Sequence, residues 1–136
     1  MIKQIIPCEL RGTDPAGSGE YGASRGSRTH NGIDYTCVPG CEVLSPVDGV
    51  ISKLGYPYAD DLTWRYVQIT DSDGLMHRLF YVEPNVGIGQ KISLNMAIGI
   101  AQDITLRYPD KGMQPHIHLE VKDQAGDYID PEECGY

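Results

Sequence analysis

The chain has 136 residues, of which 40% are hydrophobic and 22% charged, and a formal net charge of −8. This length suits one ordinary domain with a single core, so residues 1–136 are expected to form one domain. The acidic charge argues against nucleic-acid binding and against docking on anionic lipid. No apolar run approaches the roughly 20 residues of a membrane-spanning helix, so membrane insertion is not expected.

Short strands separated by turns are the main pattern along the chain. Residues 11–32 are rich in glycine, serine, arginine and threonine and lack a hydrophobic period, which predicts a long irregular loop. Strands are expected in IDYTC, in EVL and in residues 50–54. The polar turn DSDG joins YVQIT to LMHRLFYV in the clearest hairpin.

The second half of the chain continues this pattern. NVGIGQKI and MAIGIAQ predict further short strands, and ITLRYPDKGMQ predicts a loop or one helical turn. PHIHLEVK alternates strictly and predicts a strand, whereas the tail DPEECGY is turn-like. No stretch keeps a helical period over three turns. The sequence therefore predicts a mostly antiparallel β domain of many short strands.

The four cysteines, Cys8, Cys37, Cys41 and Cys134, form no CxxC pair, which argues against a thioredoxin-type site and a zinc ribbon. Three disulfide connectivities are open, and four reduced thiols are the alternative. We expect disulfides, and with them an oxidising compartment. The opening stretch MIKQIIPCEL is too short for a secretory signal. A mature chain with a restored methionine, export by another route and retention inside the cell all stay open.

Two stretches hold three of the four histidines. His30 and Asp34 lie four positions apart in THNGIDY, and His116 and His118 lie two apart in PHIHLEV. In a strand, His116, His118 and Glu120 share one face. Catalytic zinc takes three ligands of the His, Asp or Glu type and keeps a fourth position open. Two imidazoles, one carboxylate and a further imidazole are thus a complete set for metal-assisted hydrolysis. Ordinary surface histidines are the alternative.

These residues resemble those of the lysostaphin-type zinc endopeptidases, which cut peptide cross-bridges in bacterial peptidoglycan. The resemblance rests on H-x-G-I-D, on P-H-I-H-L-E-V and on a series between them that agrees in order and spacing: Pro39, Gly40, Val43, Ser45, Pro46, Gly49, Val50, Val86, Gly89, Gln90, Ile92, Ile98 and Gly99. It covers about residues 22–122. It implies an all-β fold, a compact antiparallel β-sandwich or β-roll with a long N-terminal loop and a site in a groove.

The resemblance also implies the roles of individual residues. One zinc ion would be held by His30, Asp34 and His118, and His116 would act as general base or stabilise the transition state. The ligand would be peptidoglycan or its peptide stems. The protein would be a monomeric, antibacterial cell-wall hydrolase that is secreted, periplasmic or otherwise extracellular.

One position departs from the pattern of active members. These carry a further catalytic histidine in a Y-x-H-L stretch, about seven residues after the hairpin's turn glycine, and counting from Gly74 leads to Tyr81. Strand alternation predicts that His77 shares a face with Tyr81 at a distance of about 13 Å. A phenol can donate a hydrogen bond to an oxyanion, but it cannot carry a proton near pH 7 as an imidazole does. Alternatively, Tyr81 fills the groove and leaves a binding site.

The same replacement occurs in a vertebrate branch of the family, the leukocyte-derived chemotaxins, which resemble this chain in GSGEYGASRGSRTHNGIDYTC, LFYVEP and RYPDKGMQPHIHLE. Members of that branch keep the fold and the zinc and are regarded as non-peptidases. The resemblance implies a Cys8–Cys37 disulfide, which leaves Cys41–Cys134 as the remaining pair.

Several other side chains are candidates for contact with a substrate. Arg25 lies near the first ligand and would hold a substrate carboxylate, or it is a solvated loop arginine. Trp64 lies in a loop that borders the groove in this family, where it would stack on a peptide or sugar stem or cover one end of the sheet. Glu120 would orient His118, or it is an ordinary surface carboxylate.

The sequence thus predicts a zinc-dependent peptidoglycan endopeptidase that cleaves a stem or cross-bridge peptide bond. The alternative is a catalytically impaired zinc-binding protein of the same fold that acts in binding or signalling, as the chemotaxin branch does. Tyr81 and the disulfide pattern motivate this alternative.

Overall fold

The computed structural model describes residues 32–136 with their side chains and, before them, the backbone of five two-residue strands. In chain order the strands are β1 Glu9–Leu10, β2 Thr13–Asp14, β3 Gly17–Ser18, β4 Ser24–Arg25, β5 Arg28–Thr29, β6 Ile33–Thr36, β7 Glu42–Leu44, β8 Gly49–Gly55, β9 Tyr66–Thr70, β10 Met76–Phe80, β11 Val82–Pro84, β12 Lys91–Ile92, β13 Ala97–Ala101, β14 His116–Lys122 and β15 Tyr128–Ile129. Two 3-10 helices span Ile104–Leu106 and Pro131–Cys134.

The larger of two main sheets is antiparallel, with strand order β1-β6-β14-β10-β9-β8-β12, and β15 pairs with the end of β14. β14 is an interior strand of this sheet and lies between β6 and β10. The alternation of HIHLEVK explains this position, because Ile117, Leu119 and Val121 are fully buried on one face. The histidines of the same strand therefore point to the opposite face, where the candidate site lies.

The smaller sheet has the order β11-β13-β7. Apolar residues of both sheets form one core, which includes Val43, Val82 and Ile98 from the smaller sheet and Ile51, Val67, Ile69, Leu79, Ile117 and Leu119 from the larger. The protein is therefore an all-β domain of two packed sheets, which confirms the fold class predicted from the sequence.

Most predicted strands are present with shifted ends. YVQIT and LMHRLFYV form the hairpin β9–β10, although β10 ends at Phe80 rather than at residue 82. NVGIGQKI contributes only the short strand β12. The predicted loop or helical turn at ITL is one turn of 3-10 helix. Most of the long loop predicted for residues 11–32 lies outside the described residues, and its described parts pair as β2–β3 and β4–β5.

The turn between β9 and β10 is held by Asp71. Its carboxylate accepts hydrogen bonds from the backbone N–H groups of Asp73 and Leu75, at 2.9 and 3.1 Å. It also accepts one from Nε2 of His77 at 2.8 Å, and Nδ1 of His77 lies 2.7 Å from the hydroxyl of Tyr136. His77 is fully buried on the core face of β10. This fourth histidine therefore ties the hairpin to the C-terminal segment.

The cysteines correct one prediction. Cys37 is disulfide-bonded, whereas Cys41 and Cys134 are thiols, so the expected Cys41–Cys134 disulfide is not formed. The two thiols belong to different parts of the fold. Cys41 precedes β7 and bonds through its backbone to Ala101 of the smaller sheet, whereas Cys134 ends a 3-10 helix that packs on β14. Cys8 lies outside the described residues, so the Cys8–Cys37 pairing stays a prediction.

Candidate metal and catalytic site

Three neighbouring strands bring the candidate residues together. Asp34 on β6 stands directly opposite His118 on β14, which stands opposite Phe80 on β10. All three side chains lie on the face of the larger sheet away from the core. At Gly32, a Cβ atom would collide with the Leu119 carbonyl, so glycine is needed for the close approach of the two strands beside the site.

The imidazole of His118 lies between two carboxylates. Nδ1 donates to Oδ1 of Asp34 at 2.9 Å, and Nε2 donates to Oε1 of Glu120 at 3.0 Å. Burial lowers the pKa of His118, but the hydrogen bonds to both carboxylates outweigh it and raise the pKa to about 9. The surroundings therefore favour positive charge at this point. Glu120 is only 8% exposed, so it is not an ordinary surface carboxylate.

His116 lies two residues earlier on the same face. Its Nδ1 is 2.8 Å from the Gln114 carbonyl, which can only accept, so Nδ1 carries a proton. In the neutral ring Nε2 is then the basic atom, and it lies 3.6 Å from Oδ2 of Asp34. The ring thus directs its basic nitrogen toward the same carboxylate that contacts His118.

Tyr81 reaches the site by an irregularity in the backbone. Its φ of 70° lies in the left-handed region and breaks the alternation that follows from β10. The prediction that it shares a face with His77 is therefore wrong: His77 points into the core, and the Tyr81 ring lies edge-on to His116 at 5.8 Å. Backbone hydrogen bonds to Arg65 and Gln102, of 2.7 and 2.9 Å, hold this conformation.

The phenol of Tyr81 belongs to a chain of three tyrosine hydroxyls. The Tyr58 hydroxyl lies 3.1 Å from that of Tyr81 and 2.9 Å from that of Tyr108. Burial and the neighbouring Tyr58 phenol raise the pKa of Tyr81 well above its ordinary value of 10.0. Tyr81 is therefore a neutral hydrogen-bond donor throughout the physiological pH range. The Arg107 guanidinium lies 3.6 Å over the Tyr58 ring, which closes this side of the site.

The structure describes the side chain of Trp64 but not those of Arg25 and His30. Trp64 lies edge-on to Tyr81 at 6.5 Å, is 5% exposed and donates from its indole nitrogen to Asp61 at 3.2 Å. It forms part of the wall behind Tyr81, and its contact with a ligand stays a prediction. Arg25 is described only as backbone of β4, and His30 lies outside the described residues, so their roles also stay predictions.

The donor atoms of Asp34 and His118 are of the types that bind zinc. Zinc prefers imidazole nitrogen and carboxylate oxygen. Nδ1 of His118 lies 2.9 Å from Oδ1 of Asp34, and the two side chains are 11% and 2% exposed. The Nε2–Glu120 contact has the form in which a metal-binding histidine is normally oriented. Within the described residues no group of three His, Cys, Asp or Glu side chains is arranged around a metal position. A third ligand would therefore have to come from outside the described residues, where the predicted ligand His30 lies.

Sequence reasoning missed Arg107, Tyr108 and Phe80. The first two lie in a segment predicted as loop or helical turn, about 50 residues from Tyr58, and no periodic pattern relates them. Phe80 carried a usable signal, because strand pairing in the predicted hairpin places its ring on the ligand face. It packs edge-on against His118 at 5.3 Å.

Comparisons with known proteins show the family to which this chain belongs. Residues 28–131 match the model of Peptidase family M23. Leukocyte cell-derived chemotaxin-2 of Bos taurus is 30% identical over 112 residues, which are 82% of this chain and 72% of that protein. Myeloid protein 1 of Gallus gallus is 32% identical over 86% of this chain but only 36% of its own length. The chain therefore belongs to peptidase family M23.

Solved structures show the same fold at lower identity. A mutant catalytic domain of the prophage-encoded M23 protein EnpA from Enterococcus faecalis superimposes with a TM-score of 0.68 and 17% identity, over 93% of this chain and 91% of that one. The catalytic domain of lysostaphin from Staphylococcus simulans gives a TM-score of 0.63 at 19% identity, over 85% and 86%. Within the part of the chain that the structure describes, no helix has the length and apolarity needed to cross a bilayer.

Proposed function

We propose that this protein is a zinc-dependent endopeptidase that hydrolyses a stem or cross-bridge peptide bond of bacterial peptidoglycan. The observation that carries the proposal is the arrangement around Asp34. One of its oxygens contacts Nδ1 of His118, and the other faces Nε2 of His116. One histidine is thus available as a metal ligand and the other as a base, beside one shared carboxylate.

His30, Asp34 and His118 would hold the ion, with Glu120 fixing the His118 ring so that Nδ1 faces the metal. Zinc bound there would supply a Lewis acid that polarises the scissile carbonyl and activates water. Asp34 is buried and the His118 side chain is only 11% exposed, which would limit competition from bulk water for these donors.

The remaining residues would act on the substrate. His116 would accept a proton through Nε2 during attack and return it to the leaving amine. Its Nδ1 stays bonded to the Gln114 carbonyl, which keeps the ring oriented during both transfers. Tyr81 would donate its phenolic hydrogen to the developing oxyanion, and the hydrogen bond between its hydroxyl and that of Tyr58 would limit its rotation.

A second function is favoured by Tyr81 and by the relatives. The residue stands where active members carry a histidine, and chemotaxin-2 of Bos taurus is 30% identical to this chain. In this alternative the protein binds zinc and recognises a partner through the same groove, without cleaving it. Both functions place the protein outside the cell or in the periplasm, where a Cys37 disulfide is stable.

The two functions differ in what happens to purified peptidoglycan. We would incubate the zinc-loaded protein with peptidoglycans of several cross-link types and identify released fragments by mass spectrometry. His118→Ala and Asp34→Asn are the controls, because both remove a proposed ligand. Fragments that are absent with both variants support the endopeptidase. Intact peptidoglycan with zinc bound supports the alternative.

A further inference from the structure

A second group of side chains lies on the same face of the larger sheet as the candidate site. The Tyr66 cluster comprises Lys53 on β8, Tyr66 and Gln68 on β9, and Arg78 on β10. Phe80 connects it to the site, since its ring is edge-on to His118 at 5.3 Å and stacked on Tyr66 at 4.7 Å. Arg78 is two residues from Phe80 on β10, which corresponds to about 6.6 Å along the strand.

An irregularity in β8 adds a cation to this face. Ile51 pairs with Ile69 and points into the core, so regular alternation would also direct Lys53 inward. The register shifts between Ile51 and Lys53, and Lys53 instead pairs with Gln68 on the outward face. A bulge of this kind re-aims a side chain. The strand therefore presents Lys53 beside Tyr66 rather than burying its charge.

Gly55 makes room for the aromatic ring of the cluster. It pairs with Tyr66, and a Cβ atom at this position would collide with the Tyr66 ring. The ring can therefore lie flat over β8. Lys53 Nζ lies 5.7 Å from its centroid, and the Arg78 guanidinium lies 5.1 Å from it. The two cations thus flank one ring.

Within residues 32–136, neither cation of the cluster has a carboxylate partner. Nε of Arg78 donates to Oε1 of Gln68 at 2.8 Å, which is a neutral partner. Glu120 stands opposite Arg78 in register, but its Oε1 is bonded to His118. The chain has a net charge of −8, yet here two adjacent cations have no carboxylate partner among the described residues. Their charge complements that of an anionic ligand group.

We propose that the Tyr66 cluster binds a carboxylate of the peptide ligand, one or two residues from the bond held at the candidate site. The guanidinium of Arg78 offers the fork geometry that fits a carboxylate, and Gln68 fixes its orientation. Lys53, with Nζ 5.7 Å from the Tyr66 centroid, adds a second positive charge. The proposal rests on the proposed function in taking a peptide as the ligand, and it identifies that peptide as acidic.

The test compares peptides that differ only in charge. Acetylated stem tetrapeptides would carry a free or an amidated carboxylate on the second residue and at the C-terminus, which gives four probes. Their affinities for the zinc-loaded protein would be measured by calorimetry at low ionic strength. A His116→Ala background avoids consumption of the peptide. We expect a free carboxylate to strengthen binding about tenfold, and 0.5 M salt to reduce the difference.

Matched variants locate the effect. Arg78→Gln should remove most of the carboxylate preference, and Lys53→Gln should reduce it about threefold. Lys91→Gln, which removes the same charge on β12, should leave it unchanged. The proposal would be overturned if free and amidated peptides bound equally or if none of the four peptides bound. It would also be overturned if Lys91→Gln reduced the carboxylate preference as much as Arg78→Gln does. This test measures binding and not hydrolysis, so it is independent of the peptidoglycan assay. A preference for free carboxylates together with intact peptidoglycan would refute the endopeptidase function and support carboxylate binding by the Tyr66 cluster.

Discussion

Oε1 of Glu120 lies 3.0 Å from Nε2 of His118, two residues away on the same face of β14. The other oxygen, Oε2, is buried and has no hydrogen-bond partner. The contact leaves Nδ1 of His118 as the nitrogen that faces Asp34. A carboxylate in this position fixes the orientation of the imidazole and increases its basicity as a ligand. We therefore expect Glu120 to act as a positioning residue for His118.

Glu120→Gln should weaken zinc binding about 10-fold and Glu120→Ala up to about 100-fold. Glutamine keeps an oxygen that accepts from Nε2, whereas alanine removes it. The dissociation constant would be measured by competition with a chromophoric chelator. Glu83→Gln is the control, because Glu83 is an exposed carboxylate on the smaller sheet. Unchanged affinity in Glu120→Ala would show that the contact does not support a metal ligand.

Tyr81→Phe should lower the rate of peptidoglycan cleavage about 10²- to 10³-fold without changing the zinc content. The substitution removes the hydroxyl proposed to stabilise the oxyanion and keeps the ring that packs beside His116. Fragment release and bound zinc would be measured on the same samples. Tyr56→Phe serves as the comparison, because the exposed Tyr56 packs under Arg65. A rate equal to that of the wild type would assign Tyr81 a packing role.

Asp71→Asn should destabilise the fold by about 1–3 kcal/mol, because His77 is fully buried and would lose its charged partner. Burial raises the pKa of Asp71, but hydrogen bonds from His77, Leu75 and Asp73 outweigh it and hold the pKa below the ordinary value of 3.8. A depressed folded-state pKa contributes stability that is present above the unfolded value and is lost as the pH falls through the folded value.

The difference between wild type and Asp71→Asn should therefore be constant above about pH 5 and shrink below pH 3.8. Denaturant unfolding at pH 7, 5 and 3 measures it. Asp123→Asn is the control for a turn carboxylate, since Asp123 bonds only backbone N–H groups of its own turn. A difference that grows as the pH falls would contradict the assignment.

The cysteines lead to a prediction about covalent structure. Alkylation of the denatured, unreduced protein should modify two thiols, Cys41 and Cys134, and peptide mapping should recover Cys37 linked to Cys8. A loop of this length stabilises a fold by about 3–4 kcal/mol in the chain-entropy model. Recovery of Cys37 linked to Cys41 or Cys134 would refute the pairing. Four modified thiols would show that the disulfide does not form.

Strand alternation explains how much of the fold and the site could be predicted from the sequence. The pattern of PHIHLEVK located β14 and placed His116, His118 and Glu120 on one face. Alternation is interrupted at two positions where the backbone is irregular. The positive φ of Tyr81 and the register shift before Lys53 each reverse the direction of a side chain. Neither irregularity can be recognised from the order of apolar and polar residues.

The tyrosine chain shows a different limit. Tyr58 and Tyr108 come from two separate loops, and Tyr81 follows a strand, yet their hydroxyls meet within 3.1 Å. Their convergence depends on how the loops pack on the finished sheets, which is a tertiary property. The disulfide expectation for Cys41 and Cys134 failed for the same reason, because it paired residues without knowledge of their places in the fold.

A comparison of wild type and His116→Ala at equal zinc content tests whether this site cleaves peptidoglycan. Initial rates of fragment release from purified peptidoglycan would be followed by mass spectrometry, with bound zinc determined on the same samples. We expect cleavage by the wild type and at least 100-fold slower release by His116→Ala, with one zinc ion retained in both. Equal rates, or intact peptidoglycan with the zinc-loaded wild type, would contradict this expectation.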